Sequence, residues 1–177
     1  MNLTFRPTDF SSDQDCEAIA RWTNDPLLQD LWLPKFAKPK EPATVASVRA
    51  QYTNQPKSGF DRIRDELAIL NDRVVGQYTL ILNPPHRKST VERVLWPSLI
   101  IGEKSLRGTG VLRRFIDRIK ISASEFDASH IEVGVFEFNR PMRNLLEKTG
   151  FREFARVEGV AETGGQLWAD IRYLREI

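Results

Sequence analysis

The chain has 177 residues, about the length of one domain, which argues against a multidomain assembly or a long repeat array. Lysine and arginine number 26 against 24 aspartates and glutamates, a formal charge of +2, so no strong field draws nucleic acid or a membrane surface, and neither is an expected partner. Hydrophobic residues at 41% and charged residues at 28% describe an ordinary globular composition rather than a disordered chain.

The N-terminus MNLTFRPTDF has no basic segment followed by an apolar run, and no later stretch approaches the roughly 18 apolar residues a membrane span needs. The cytoplasm is therefore the expected compartment. Leu3 to Arg6 alternate as a short strand, and Ser11 to Asp13 supply capping residues for a helix with apolar Ile19, Ala20 and Trp22. The single cysteine, Cys16, lies among Asp13, Asp15 and Glu17, whose charge disfavours a thiolate, and it reads as a passive thiol. Pro26 to Pro42 is too proline-rich for a long helix and reads as a short helix plus a loop tipped by Leu31, Trp32, Leu33 and Phe36. Helical spacing returns from Ala43 to Tyr52 and ends in the punctuation of Asn54, Pro56 and Gly59.

Glu66 to Leu70 and Arg73 to Leu82 are strands joined by Asn71-Asp72, a tight hairpin signal. Val91 to Ile101 is a further strand containing Pro97, which marks either a bulge or an edge, and a kink is expected near Trp96 to Ser98. An amphipathic helix runs from about Gly110 to Phe126, with Val111, Leu112, Phe115, Ile116 and Ile119 on its apolar face. His130 to Phe138 reads as a strand and Pro141 to Lys148 as a short helix. Phe151 to Val160 and Gln166 to Arg175 then form a hairpin around Glu162 to Gly165. This order predicts one α/β domain over residues 1–177: a mixed, mostly antiparallel sheet with helices on both faces, its fourth and fifth strands parallel through a right-handed crossover.

The segment from Ile100 to Val111 carries the strongest chemical signal, because an apolar strand feeds a glycine-containing turn that opens a helix. Glycines let backbone N–H groups turn toward a phosphate, and a helix start favours negative charge; a plain connecting turn is the alternative. The turn lacks the Gly-Lys-Ser/Thr of a P-loop and the full dinucleotide fingerprint, which argues against nucleotide hydrolysis and hydride transfer.

Arg107-Gly108-Thr109-Gly110-Val111-Leu112 resembles the diphosphate turn of the GNAT superfamily of N-acetyltransferases, Arg/Gln-x-x-Gly-x-Gly/Ala, with Leu112 in place of the final small residue. Asn139 to Phe151 is similar to that family's asparagine, short helix and closing Gly-Phe. Arg6-Pro7, Trp22 to Pro26 and Leu31-Trp32 resemble the branch containing ribosomal-protein N-terminal acetyltransferases and some aminoglycoside acetyltransferases. The resemblance implies acetyl-CoA as cosubstrate, held in a V between splayed fourth and fifth strands. Leu99, Ile100 and Ile101 would pair with pantetheine, and Arg107, Gly108, Thr109, Gly110 and Val111 would hold the diphosphate. Asn139 would act as a cofactor contact or a helix cap. It further implies acetyl transfer to a primary amine, of a small molecule or a protein N-terminus, by direct attack in a ternary complex. A noncatalytic CoA-binding or interaction module is the alternative.

Leu146 occupies the place where the family often has a tyrosine acid, so a water, another hydroxyl or the thiol's own acidity would have to serve. Glu103 is the candidate general base, or else a solvated loop carboxylate; Asp25 and Glu137 are weaker, and Glu137 is either a partner of Arg140 or a cleft group. Arg113 and Arg114 either approach the adenosine-side phosphate or form the wet face of their helix. Trp32 and Phe36, with Lys35 and Lys38, would overhang an acceptor cleft or simply pack the loop. His86 and His130 have no ligand partners at metal spacing, so no metal is implied. Should the chain self-associate, a homodimer is the expected form.

Overall fold

A computed structural model describes residues 3–53 and 62–177, so the turn expected at Asn54, Pro56 and Gly59 lies outside the described residues. β1 (Leu3–Pro7) leads to α1 (Asp13–Thr23), α2 (Pro26–Trp32), a single 3-10 turn (Lys35–Ala37) and α3 (Val45–Thr53). Ser12 caps α1 through the Asp15 N–H, and Asp25 caps α2 through the Leu27 N–H, so each start gains an acceptor for an N–H that helical geometry leaves unpaired. β2 (Arg62–Leu70) and β3 (Arg73–Leu82) form the expected hairpin, whose Asn71 and Asp72 both have positive φ, at 49° and 60°, as a type I′ turn requires. β4 (Val94–Ile101), α4 (Val111–Glu125), β5 (His130–Phe136), α5 (Arg140–Lys148), β6 (Arg152–Thr163) and β7 (Gln166–Glu176) complete the chain.

The seven strands form one sheet in the order β1-β2-β3-β4-β5-β7-β6. Every pairing is antiparallel except β4 with β5. Because side chains alternate along a strand, the sheet has two apolar faces. One carries Leu80, Leu95, Ile131, Ile171 and Tyr173 under α4 and α5; the other carries Leu67 and Ile100 under α1, α2 and α3. Arg118 ties α4 down, its Nε donating to the Tyr78 hydroxyl at 3.0 Å while its guanidinium meets buried Glu66 at 3.2 Å. Cys16 is fully buried under α3, and burial pushes its thiol up, in keeping with a passive role.

β2 begins at Arg62, four residues before the expected Glu66, and three further boundaries differ from the sequence reading for local reasons. β4 begins at Val94 rather than Val91, because Arg93 takes a left-handed φ of 58° that extended pairing cannot continue. β5 ends at Phe136 rather than Phe138, where the Asn139 N–H closes a turn onto the Phe136 carbonyl at 2.8 Å. The last hairpin is tighter than expected, with β6 reaching Thr163 and turning at Gly164-Gly165.

The kink expected at Pro97 is absent from the β3–β4 ladder, which keeps one register from Gly76↔Ile101 to Leu82↔Leu95. The Asn83 N–H donates to Val94 and the Gly102 N–H to Val75, so the even residues of β4 exchange hydrogen bonds with β3. Pro97 falls on an odd position, where its missing N–H costs that ladder nothing. The interruption lies on the other edge: β4 and β5 pair only at Val94↔His130 and Leu95↔Ile131, although both strands continue.

Candidate active site

The open edges of β4 and β5 bound a cavity of about 1070 Å³ whose walls come from both faces of the sheet. On the α4–α5 side it is lined by Leu106, Arg107, Gly108, Gly110, Leu112 and Arg113 together with Asn139, Pro141, Met142 and Leu145. On the α1–α2 side it meets Trp32, Phe36, Trp96, Ser98, Phe138 and Asp170.

The odd residues of β4 turn their backbone groups toward this opening. Leu99 and Ile101 thus offer open N–H and C=O groups, whereas Ile100, which also lines the cavity, commits its own to Gln77 in β3. At the head of α4, Gly108 and Gly110 have φ of 77° and 82°, and no atom lies within 4 Å of where a Cβ would stand on either. That leaves a bare backbone beside the helix start, where orphan N–H groups and the dipole favour an anion. Arg107 contributes a buried Nη2 with no hydrogen-bond partner, on the cavity wall. A polyanionic ligand with an amide-bearing arm therefore fits these residues. Leu112, half-buried against the α4–α5 core, flanks the wall alongside Arg113. Thr109 and Val111 are not part of the wall: the Thr109 hydroxyl donates to the Leu106 carbonyl at 2.7 Å, and Val111 is buried in the core.

Asn139 both lines the cavity and caps α5, its Oδ1 accepting the Met142 N–H at 3.4 Å. Glu103 stands outside the wall, its carboxylate 2.9 Å from Arg21 Nη2. Glu137 pairs with Arg156, accepting two hydrogen bonds at 2.8 Å, and is neither the Arg140 partner nor the cleft group that the sequence left open; β6 brings in a partner that chain proximity could not reveal. Leu146 is fully buried and offers no proton.

The α1–α2 side contains groups the sequence reading did not single out. Glu132, Arg172 and Asp170 point to one face of β5 and β7 and are all buried. Glu132 accepts the Lys88 and Ser89 N–H groups at 2.8 and 2.9 Å and meets Arg172 at 3.3 Å. These bonds fold the loop between β3 and β4 inward and bring His86 onto the cavity wall, 4.7 Å from Trp96 edge to face. Partial desolvation against the wall, and then Arg172, lower the His86 ring from its ordinary value. Asp170 Oδ2 lies 2.9 Å from Arg172 Nε, while its Oδ1 has no hydrogen-bond partner; burial raises this carboxyl above its ordinary value against the opposing pull of Arg172. An acid and a base breaking the apolar alternation of Trp168 to Tyr173 was the available signal.

Trp32 and Phe36 form the roof. Trp32 donates to Ser98 Oγ at 2.8 Å, and Phe36 is 81% exposed, unusual for a ring with only a packing role. Lys38 Nζ bonds Asp30 at 2.6 Å and the Glu162 carbonyl at 2.8 Å, while Thr163 also donates to Asp30, fastening the roof segment to the β6–β7 hairpin.

No family model and no curated protein matches the sequence. Solved structures do match in shape. A spermidine N-acetyltransferase from Vibrio cholerae in complex with CoA and spermine has a TM-score of 0.79 at 19% identity, over 98% of this chain and 95% of that one. Aminoglycoside acetyltransferase AAC(6')-Ib in complex with coenzyme A and kanamycin gives 0.74 at 16%, over 99% and 95%. An acetyltransferase of the GNAT family from Streptococcus pneumoniae gives 0.72 at 17%, over 99% and 100%. At such identities the likeness defines the fold: this chain has the fold of GNAT acetyltransferases.

Proposed function

We propose that the protein transfers an acetyl group from acetyl-CoA to a primary amine within a ternary complex. The observation that carries this reading is the passage through the sheet where β4 and β5 part, with an open glycine turn at a helix start on one side and an aromatic chamber on the other. Arg107 and the backbone of the Gly108–Gly110 turn would hold the diphosphate, and Leu99 and Ile101 would pair with the pantetheine amides. Bound acetyl-CoA would supply the thioester that an amine attacks. The amine would enter from the α1–α2 side of the cavity.

The test is free-thiol release from acetyl-CoA, followed with and without added primary amines. Amine-dependent release supports transfer. Tight acetyl-CoA binding with no release under any amine supports instead a noncatalytic CoA-binding module, the reading that the fully buried Leu146 favours.

A further inference from the structure

The acceptor side of the cavity has one carboxylate on its wall among the described residues, Asp170, set in a mainly apolar and aromatic surface. Its neighbours leave it short of positive charge. Among the described residues Arg172, itself on the cavity wall and over the Trp96 ring, is the one cation in the buried cluster and is shared with Glu132, while Glu132 is already satisfied by two loop N–H groups. A buried carboxylate without a full partner is costly, and a ligand cation relieves that cost. Gly134 makes the arrangement possible, since a Cβ there would come within 2.7 Å of Asp170 Oδ1 and 2.8 Å of the Trp96 ring.

We infer that Asp170 receives the ammonium group of the acceptor and that the acceptor is a monoamine on an apolar, preferably flat body seated among Trp32, Phe36, Trp96 and Phe138. The inference rests on the acetyl-transfer reading and deepens it. A polyamine or an aminoglycoside carries several charges, and each further ammonium would sit on apolar wall with no carboxylate to meet it. Held above its ordinary range, the Asp170 carboxylate is also suited to take one proton from the ammonium nitrogen onto its own oxygen, leaving the neutral amine that attack requires. The same lone-cation chemistry could belong to a free arylalkylamine or to an apolar N-terminal residue of a peptide.

Thiol release is measured for phenethylamine, a phenylalanine-initiated tripeptide amide, spermidine and kanamycin, with acetyl-CoA affinity determined separately by calorimetry. Phenethylamine or the peptide should exceed spermidine and kanamycin at least tenfold in kcat/KM, and the faster of the two assigns the source. Asp170→Asn should lower that kcat/KM at least tenfold with acetyl-CoA affinity unchanged, and Asp170→Glu should recover part of it. Calorimetric titration of phenethylamine into the CoA-bound protein gives a readout independent of turnover, and Asp170→Asn should abolish that heat. Preference for spermidine or kanamycin, or an unchanged Asp170→Asn, overturns the inference while acetyl transfer stands. No release with any amine despite acetyl-CoA binding removes the acetyl-transfer reading and this inference with it.

Discussion

A methyl group added at Gly134 would press on both Asp170 oxygens and the Trp96 ring, and Asp170 cannot retreat without loosening from Arg172. Gly134→Ala should therefore destabilise the protein by about 1–3 kcal/mol, the usual range for overpacking, as read from urea unfolding. The same variant should raise KM for the amine while leaving acetyl-CoA affinity alone. On the other side of the sheet, the buried, unpartnered Nη2 of Arg107 marks that side chain as more than a solvated flank of its turn. Arg107→Ala should weaken acetyl-CoA about fivefold, roughly 1 kcal/mol, in a calorimetric titration. Arg107, Gly108 and Gly110 were legible in the sequence because their chemistry is local, a strand, a turn and a helix start in one run of chain. Asp170 and His86 were less so: the polar break at Asp170 and Arg172 marked a position without saying what it faces, and His86 reaches the cavity only because the loop between β3 and β4 folds onto Glu132.

Among the elements, the roof over the acceptor side is held by the Trp32 hydrogen bond to Ser98 and by the fastening of Lys38 with Asp30 and the β6–β7 hairpin. Lys38→Ala should raise KM for the amine severalfold without changing acetyl-CoA affinity, which steady-state kinetics and calorimetry separate. The hydrogen bond from Lys38, and then that from Thr163, hold the Asp30 carboxyl below its ordinary value. Its folded pKa thus lies below its unfolded one, so the stabilisation is full above the unfolded value of about 4 and is lost as pH falls through the folded value. Thermal unfolding followed from pH 6 down to pH 3 should show a steeper loss for the native chain than for Asp30→Asn, by a margin kept small because the pair is partly exposed. Most strands and helices were legible from apolar periodicity, and Asn71-Asp72 fixed its hairpin by turn chemistry alone. Pro97 gave a true signal on the wrong edge: sequence reports a missing donor but not which neighbouring strand it faces, and here it faces β5.

For the whole molecule, the order of elements was enough to give a mixed, mostly antiparallel sheet with its fourth and fifth strands parallel, though not the place of β7 between β5 and β6. The acceptor chamber was less legible, since it is assembled from α2, the β3–β4 loop, β4, β5 and β7, segments that meet only once the sheet exists. The account makes the β4–β5 opening and the turn at the head of α4 the seat of acetyl-CoA. Gly110 tests it most directly: its φ of 82° disfavours any branched side chain, and the space beside it is open, so a larger residue would intrude on a bound phosphate without disturbing the core. The decisive measurement is calorimetric titration of acetyl-CoA into the native chain and Gly110→Val, with thermal unfolding of both as the control. The account predicts saturable one-to-one binding to the native protein and at least tenfold weaker binding, about 1.4 kcal/mol, to a variant that remains folded. Equal affinity in a folded Gly110→Val, or no binding to the native chain, would contradict it.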